Sequence, residues 1–273
     1  MSAIACRPTV FYINRDIDLP RRERIEQNFA ACRMEAERVP GVNGRDLPGD
    51  LHRLFPPSRL KNGEVGCYAS HVLVWQQIVS RDLPYALVLE DDAKFDESAI
   101  ALVGDCLANL PEGWDYVHLD GRPRRKKFAY RPIFKLRDDR HLVRYVRIPD
   151  GTVAQLVSNR GARKLLKDVP RNNPVDVDVR MPWRWGLDIY GVSPAPFDQA
   201  EFSSAIHTLG GNSRHKSWSG SGYRSPSSFL YNLKKLGPYW WSRCALEMAA
   251  QKLVRSTWRR RPTAGKRNVS AAP

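Results

Sequence analysis

Three places in this 273-residue chain bring carboxylates close enough to share a divalent cation or to exchange protons: Asp16-Ile-Asp18, Glu90-Asp91-Asp92 and Asp176-Val-Asp178. A hard cation such as Mn²⁺ or Mg²⁺ takes oxygen ligands and leaves positions for substrate phosphates, so one or two carboxylates suffice. Glu90-Asp91-Asp92 follows the apolar run Ala86-Leu-Val-Leu89, and ligands of open α/β sheets bind just outside such strand ends. Asp16 and Asp18 stand among arginines, which reads first as a helix entry with local ion pairs. Asp176 and Asp178 lie between Pro174 and Pro182, and either is a candidate general base. His71 falls beside the stripe of Tyr68, Val72 and Trp75, where the plain alternative is a satisfied, partly buried histidine. His207, in a Ser/Gly-rich stretch, is a candidate to close a metal shell or else a surface histidine.

Such groups need a scaffold, and strand signals alternate with helical ones, the pattern of an α/β domain with a mostly parallel sheet flanked by helices. Val10 to Ile13 reads as the first strand. Residues 21–32 read as a helix with Ile25, Phe29 and Cys32 on one face, and residues 64–80 as a second with Tyr68, Val72, Trp75 and Val79 in a stripe. Further helices are expected over 100–110 and 160–167, and strands over 86–89, 114–119, 152–158 and 189–192. The Pro/Gly-rich stretch 40–57 reads as loop, and 194–226 as irregular. From Phe229 to Arg261, Trp240, Trp241, Trp258 and several leucines accompany cations, and Gly237-Pro238 divides the segment in two. The expected organisation is a domain over 1–226, a basic, aromatic helical extension over 227–261, and a disordered tail over 262–273.

The charge is uneven. Forty-four Lys and Arg against 29 Asp and Glu give +15, which attracts nucleic acid, anionic lipid or a phosphorylated substrate. Residues 122–147 hold eleven cations against two aspartates and read as a long loop or hairpin excursion, and residues 252–267 hold seven against none. The remainder is close to neutral, unlike the body-wide positive field of a nucleic-acid clamp. Five cysteines, odd in number and without a CxxC pair, argue against a disulfide framework or a zinc knuckle. The opening residues lack the charge-then-apolar pattern of a leader, so a reducing cytosol is expected. A GxxxxGK[ST] phosphate loop, a GxSxG elbow and an HExxH helix are all missing, and Gly220-Ser-Gly-Tyr-Arg-Ser225 lacks the glycine spacing and preceding strand of a nucleotide loop.

Several segments, taken in order, resemble glycosyltransferase family 25. They are Phe11-Tyr-Ile-Asn14 with Arg21-Arg22, Val39-Pro-Gly-Val-Asn-Gly-Arg45, Gly63-Glu-Val-Gly-Cys-Tyr-Ala-Ser-His71, Leu87-Val-Leu-Glu-Asp-Asp-Ala93, Trp114-Asp-Tyr-Val-His-Leu119, Gly151-Thr152 and Pro174-Val-Asp176. The resemblance covers about residues 8–207. It implies a GT-A-like fold with a Rossmann-like sheet, whose first half binds a nucleotide-sugar and whose second half receives an acceptor. It further implies an inverting transfer of a hexose, galactose first, from UDP-galactose with Mn²⁺ (or Mg²⁺) to a lipooligosaccharide- or lipopolysaccharide-type glycan. Carried onto this sequence, Asp92 is the principal metal ligand, with Glu90 or Asp91 supporting it directly or through water. Asn14, Arg22, Glu64, His71, Glu90 and Asp91 are donor-site residues. Asp176 is the preferred base, with Asp178 and Asp120 in reserve.

A basic, tryptophan-bearing extension suits a lipid-linked acceptor on the anionic cytoplasmic leaflet of the inner membrane, as a peripheral attachment, the alternative being an ordinary C-terminal helix packed on the body with its basic end solvated. The rival readings are a nucleic-acid-binding module, another metal-dependent nucleotidyl or sugar transferase, and an inactive scaffold of the same fold. The first is disfavoured because the recognisable motifs concentrate carboxylates that repel phosphate, and no nucleic-acid partner is expected.

Overall fold

The computed structural model describes residues 8–57, 60–121, 128–200 and 225–259, with side chains to residue 251. The chain is an α/β protein of GT-A-like form, in which an eight-stranded sheet runs in the order β2-β1-β3-β8-β5-β9-β7-β6. Strands β1 (Thr9–Asn14), β2 (Glu37–Pro40) and β3 (Tyr85–Glu90) are mutually parallel. Beyond them the sheet is mixed. Strand β8 (Ala154–Ser158) runs antiparallel between β3 and β5 (Tyr116–His118), and β9 (Ile189–Ser193) is parallel to β5. A two-stranded ribbon joins β4 (Ala93–Lys94) to β10 (Asp198–Gln199).

Both faces of the sheet are covered, which is why Leu87-Val-Leu89 is apolar without alternation. Leu87 and Leu89 pack with Ile25 and Phe29 of α1 (Leu19–Ala31) and with Leu102 and Val103 of α3 (Glu97–Asn109). Ala86 and Val88 face the other way, onto Val72 and Trp75 of α2 (Asn62–Ser80) and onto α4 (Asn159–Leu165). Helix α2 starts where the Lys61 backbone N–H donates to the Glu64 carboxylate at 2.8 Å, half of a capping box. Short helices α5 (Val175–Val179) and α6 (Pro182–Trp185) close that side.

The basic segment 122–147, expected as a long loop or hairpin excursion, is a hairpin over its described part and belongs to the sheet. Its hairpin, β6 (Tyr130–Lys135) and β7 (His141–Tyr145), forms the far edge by pairing with β9. Many of its cations are held by partners: Arg144 pairs with Asp188 at 2.5 Å, Arg137 pairs with Asp105, and Arg131 donates to the Leu236 carbonyl at 3.0 Å.

The extension forms two helices, α7 (Pro226–Leu236) and α8 (Pro238–Arg259), divided at Gly237-Pro238 as the sequence suggests. They dock on the body. The Tyr231 hydroxyl donates to the Leu187 carbonyl at 3.0 Å, Lys235 pairs with Asp188 at 3.0 Å, and Leu236 and Cys244 bury against Ala129 and Val146 of the hairpin region. Phe229, Leu230, Tyr239 and Leu246 stay exposed. Among the described residues no helix is long and apolar enough to cross a membrane.

Candidate active site

Parallel strands β1 and β3 end side by side, with Ile13 opposite Glu90. Their carboxyl ends open into a cavity of about 750 Å³, within the size range of small-molecule sites. Asn14 and Arg21 line it from the β1 side, Glu64, Cys67 and His71 from α2, Glu90 to Asp92 from the end of β3, Thr152 from the entry to β8, and Asp176 from α5.

The three acidic residues point three ways. Asp91 turns inward, accepting from Asn14 Nδ2 and from Arg21 Nη1, each at 2.8 Å. Burial raises its pKa, and Asn14 and Arg21 oppose the shift. Arg24 fastens the turn behind it by donating to the Asp91 and Ala93 carbonyls, both at 3.0 Å. Glu90 Oε1 accepts from the Thr152 hydroxyl at 2.6 Å and lies 3.2 Å from His71 Nε2. Gln155 Nε2 lies 3.2 Å from His71 Nδ1, so these partners assign the ring proton to Nε2, facing Glu90.

Asp92 is only 6% exposed. Its Oδ2 accepts from Gln199 Nε2 on β10 at 2.7 Å, while its Oδ1 is buried with no hydrogen-bond partner among the described residues. Burial first, then the Glu90 charge, pushes its pKa up to about 6. A buried carboxylate oxygen without a donor is costly, and a second carboxylate beside it adds repulsion. A hard divalent cation answers both, so Asp92 and Glu90 fit Mn²⁺ or Mg²⁺. On the same wall Cys67, His71 and Glu90 bring three ligand atoms within 4.8 Å of one another. Burial holds the Cys67 thiol well above its usual pKa, with the nearby carboxylates adding to the shift, and His71 Nε2 already faces Glu90. The oxygen pair is the better cation site.

The other expected residues are placed unevenly. Glu64 lines the cavity, with one oxygen engaged in capping α2. Asp176 lines the cavity from the first turn of α5. Asp178, expected in reserve as a base, is turned away into the protein: it accepts from Tyr68 at 3.0 Å, Asn173 at 2.7 Å and Arg184 at 2.8 Å, which ties α5 to α2 and α6. Asp120 lies outside this cavity and lines a neighbouring one, with its Oδ1 3.5 Å from His118 Nδ1. Arg22, expected at the donor, is outside as well, on the solvent side of α1 where it pairs with Glu26 at 2.8 Å. Asp16 and Asp18 pair with Arg38 and Arg15, and both also line the cavity rim. His207 lies outside the described residues.

Arg21 occupies the place expected for Arg22, and the sequence carried the signal. Arg21 is one helical turn before the buried Ile25, whereas Arg22 is one turn before the exposed Glu26. Arg24, Gln155 and Gln199 act through contacts distant in sequence, and nothing local marks them.

The sequence profile of glycosyltransferase family 25 (LPS biosynthesis protein) matches residues 7–181. A glycosyltransferase 25 family member from Aedes aegypti is 30% identical over 193 residues, which cover 63% of this chain and 30% of the relative. Procollagen galactosyltransferase 1-B from Xenopus laevis is 31% identical over 194 residues, with the same coverage of both chains. A bovine relative, named as a probable inactive glycosyltransferase 25 family member 3, is 28% identical over 188 residues, covering 63% of this chain and 31% of its own length. This chain thus spans about a third of the length of such relatives. An acidic turn at the ends of two parallel strands, the cavity outside it and a match over residues 7–181 lead to one conclusion: the chain belongs to glycosyltransferase family 25.

Proposed function

We propose that this protein transfers a hexose, galactose in the first instance, from a UDP-sugar to a glycan acceptor with inversion at the anomeric carbon. The observation that carries the reading is the buried Oδ1 of Asp92, without a hydrogen-bond partner among the described residues, beside Glu90 in the lining of a cavity of about 750 Å³. Galactose comes from the names of the procollagen relatives. The family description, which names lipopolysaccharide biosynthesis, supports a lipid-linked acceptor of the lipooligosaccharide type. Exposed Phe229, Leu230, Tyr239 and Leu246, with the cations of residues 252–267, support peripheral attachment to an anionic cytoplasmic leaflet, where nucleotide-sugars are made.

A Mn²⁺ or Mg²⁺ ion held by Asp92 and Glu90 would neutralise the charge that develops on the departing UDP. The chain's own residues do the rest. Asn14 and Arg21 fix Asp91, and Arg24 fixes the carbonyls behind it, so the acidic turn keeps one shape. Thr152 and His71 orient Glu90. Asp176, which lines the same cavity, takes the proton of the attacking acceptor hydroxyl.

The test is UDP release from a panel of UDP-sugars with and without Mn²⁺, followed by the anomeric configuration of any glycoside formed. Metal-dependent turnover of UDP-galactose with an inverted product is the expected result, and a retained configuration overturns the single-displacement mechanism. A bovine relative named as inactive keeps one other reading in view, a scaffold that binds UDP without turnover.

A further inference from the structure

A second cavity of about 760 Å³ lies beside the first, with a different lining. Its walls are the β6–β7 hairpin, the loop after β9 and helix α8. Aromatic rings dominate one side. Tyr130 meets Tyr145 edge-on, with centroids 6.0 Å apart at 88°, and Phe128 meets the same ring at 6.2 Å and 73°. Helix α8 supplies the other side with Trp240, Arg243 and Glu247, spaced to fall on one helical face. The Arg243 guanidinium lies 5.0 Å from the centre of the Trp240 ring.

The two cavities are separated by a thin partition. Asp150 lines both, held by Arg180 at 2.6 Å. Gly151 of the first cavity backs directly onto the Asp120 carboxylate of the second, at φ +118°, where an added Cβ would strike that carboxylate.

We propose that this second cavity is the acceptor subsite and that it takes a saccharide, its pyranose rings stacked on Tyr130 and Trp240 with hydroxyls hydrogen-bonded to Glu247, Arg243 and Asp150. The inference rests on the glycosyltransferase reading and deepens it. Pyranose rings have apolar C–H faces, which suit the electron-rich faces of aromatic side chains, and rims of hydroxyls, which suit carboxylates and guanidinium groups. A lipid tail would leave Asp120, Asp150, Arg243 and Glu247 facing hydrocarbon, an expensive arrangement. A nucleotide would meet three carboxylates. The shared Asp150 places a saccharide bound here next to a donor in the first cavity. Helix α8 lies beyond residue 181, where the family match ends, so this wall is where acceptor choice can diverge while the donor half stays constant.

Saturation-transfer NMR on the full chain, with UDP and Mn²⁺ present, would use as probe the core oligosaccharide released from a lipooligosaccharide by mild acid. Wild type is expected to bind it, and Trp240→Ala and Glu247→Ala are each expected to weaken binding about tenfold. Glu247 is exposed, so its variant carries the test if Trp240→Ala fails to fold. Equal binding by wild type and the folded variants overturns the proposal, because the saccharide is then held elsewhere. Calorimetry of UDP on wild type separates the two readings. A protein that binds UDP but not the oligosaccharide removes the acceptor subsite and leaves the donor site standing, and one that binds neither removes both.

Discussion

Asp176 and Asp178 are two residues apart on one short helix and do different work. Asp178 accepts three side-chain hydrogen bonds inside the protein, so Asp178→Asn leaves Tyr68 and Arg184 poorly matched and is expected to cost about 2 kcal/mol of stability. Asp176→Asn is expected to lower kcat by roughly a hundredfold. Thermal melts and UDP-release kinetics on both variants check the pair, and the reverse pattern would exchange their roles. His118 gives a pH-dependent outcome. Burial, reinforced by Arg180, lowers its pKa from 6.5 to about 4. The unfolded chain therefore takes up this proton near pH 6.5 and the folded chain only near pH 4, so stability is lost as pH falls through that window, by about 3 kcal/mol in full. Asp92, with its pKa raised to about 6, works in the opposite sense, so the comparison is with His118→Leu. Denaturant unfolding should find the stability difference between wild type and variant shifting against wild type from pH 7 to 4, and a constant difference contradicts the assignment. The acidic turn was legible in the sequence because a strand end marks it. Which aspartates face the cavity was not, since that depends on partners such as Tyr68 and Arg184, far away in the chain.

At the level of elements, the donor cavity depends on how closely α2 approaches the loop after β2. Gly66 permits that approach: a Cβ there would strike the Val42 carbonyl and lie 2.9 Å from the Gly44 N–H. Gly66→Ala must displace either α2 or that loop, and both line the cavity. The expected cost is about 1–3 kcal/mol, together with a raised KM for UDP-sugar. Melting temperature and donor kinetics read this directly, and a variant unchanged in both would mean the approach has no bearing on the site. Helices α1 and α2 were legible because their buried stripes recur at helical spacing. Strand β2 was not, being four residues long with one fully buried side chain and a terminal proline. Helix α5 was hidden by Val-Asp-Val-Asp, which alternates as a strand would, and the Pro174 entry with the contacts of Asp178 decides for helix. The hairpin's charges drew attention to solvent, but its pairing with β9 and its ion pairs fix it in the sheet.

For the whole molecule, the net charge of +15 is least balanced within the sequence over residues 252–267, where seven cations stand with no acidic residue. Leu246 is 72% exposed on α8, on the same helix that leads into the cations of residues 252–267. Attachment to an anionic surface should therefore depend on both an apolar contact and a screened electrostatic one. Cosedimentation with vesicles containing phosphatidylglycerol is expected to fall at least tenfold in Leu246→Glu and to fall with added salt, while vesicles of phosphatidylcholine alone bind little. Equal binding to both vesicle types would remove the membrane from the account. The helical character of the C-terminal segment and its split at Gly237-Pro238 were visible in composition. The seating of that extension on the hairpin was not, because it rests on Leu236 and Cys244 meeting Ala129 and Val146 across the fold.

The most direct test of the central claim is UDP release from UDP-galactose, with and without Mn²⁺, by wild type and Asp92→Asn. Metal-dependent turnover is expected in wild type, reduced at least a hundredfold in the variant. No loss of melting temperature is expected at pH 7, because the substitution removes a buried charge that the protein alone leaves half satisfied. Metal-independent turnover, or a variant as active as wild type, would contradict a metal-assisted transfer at Asp92.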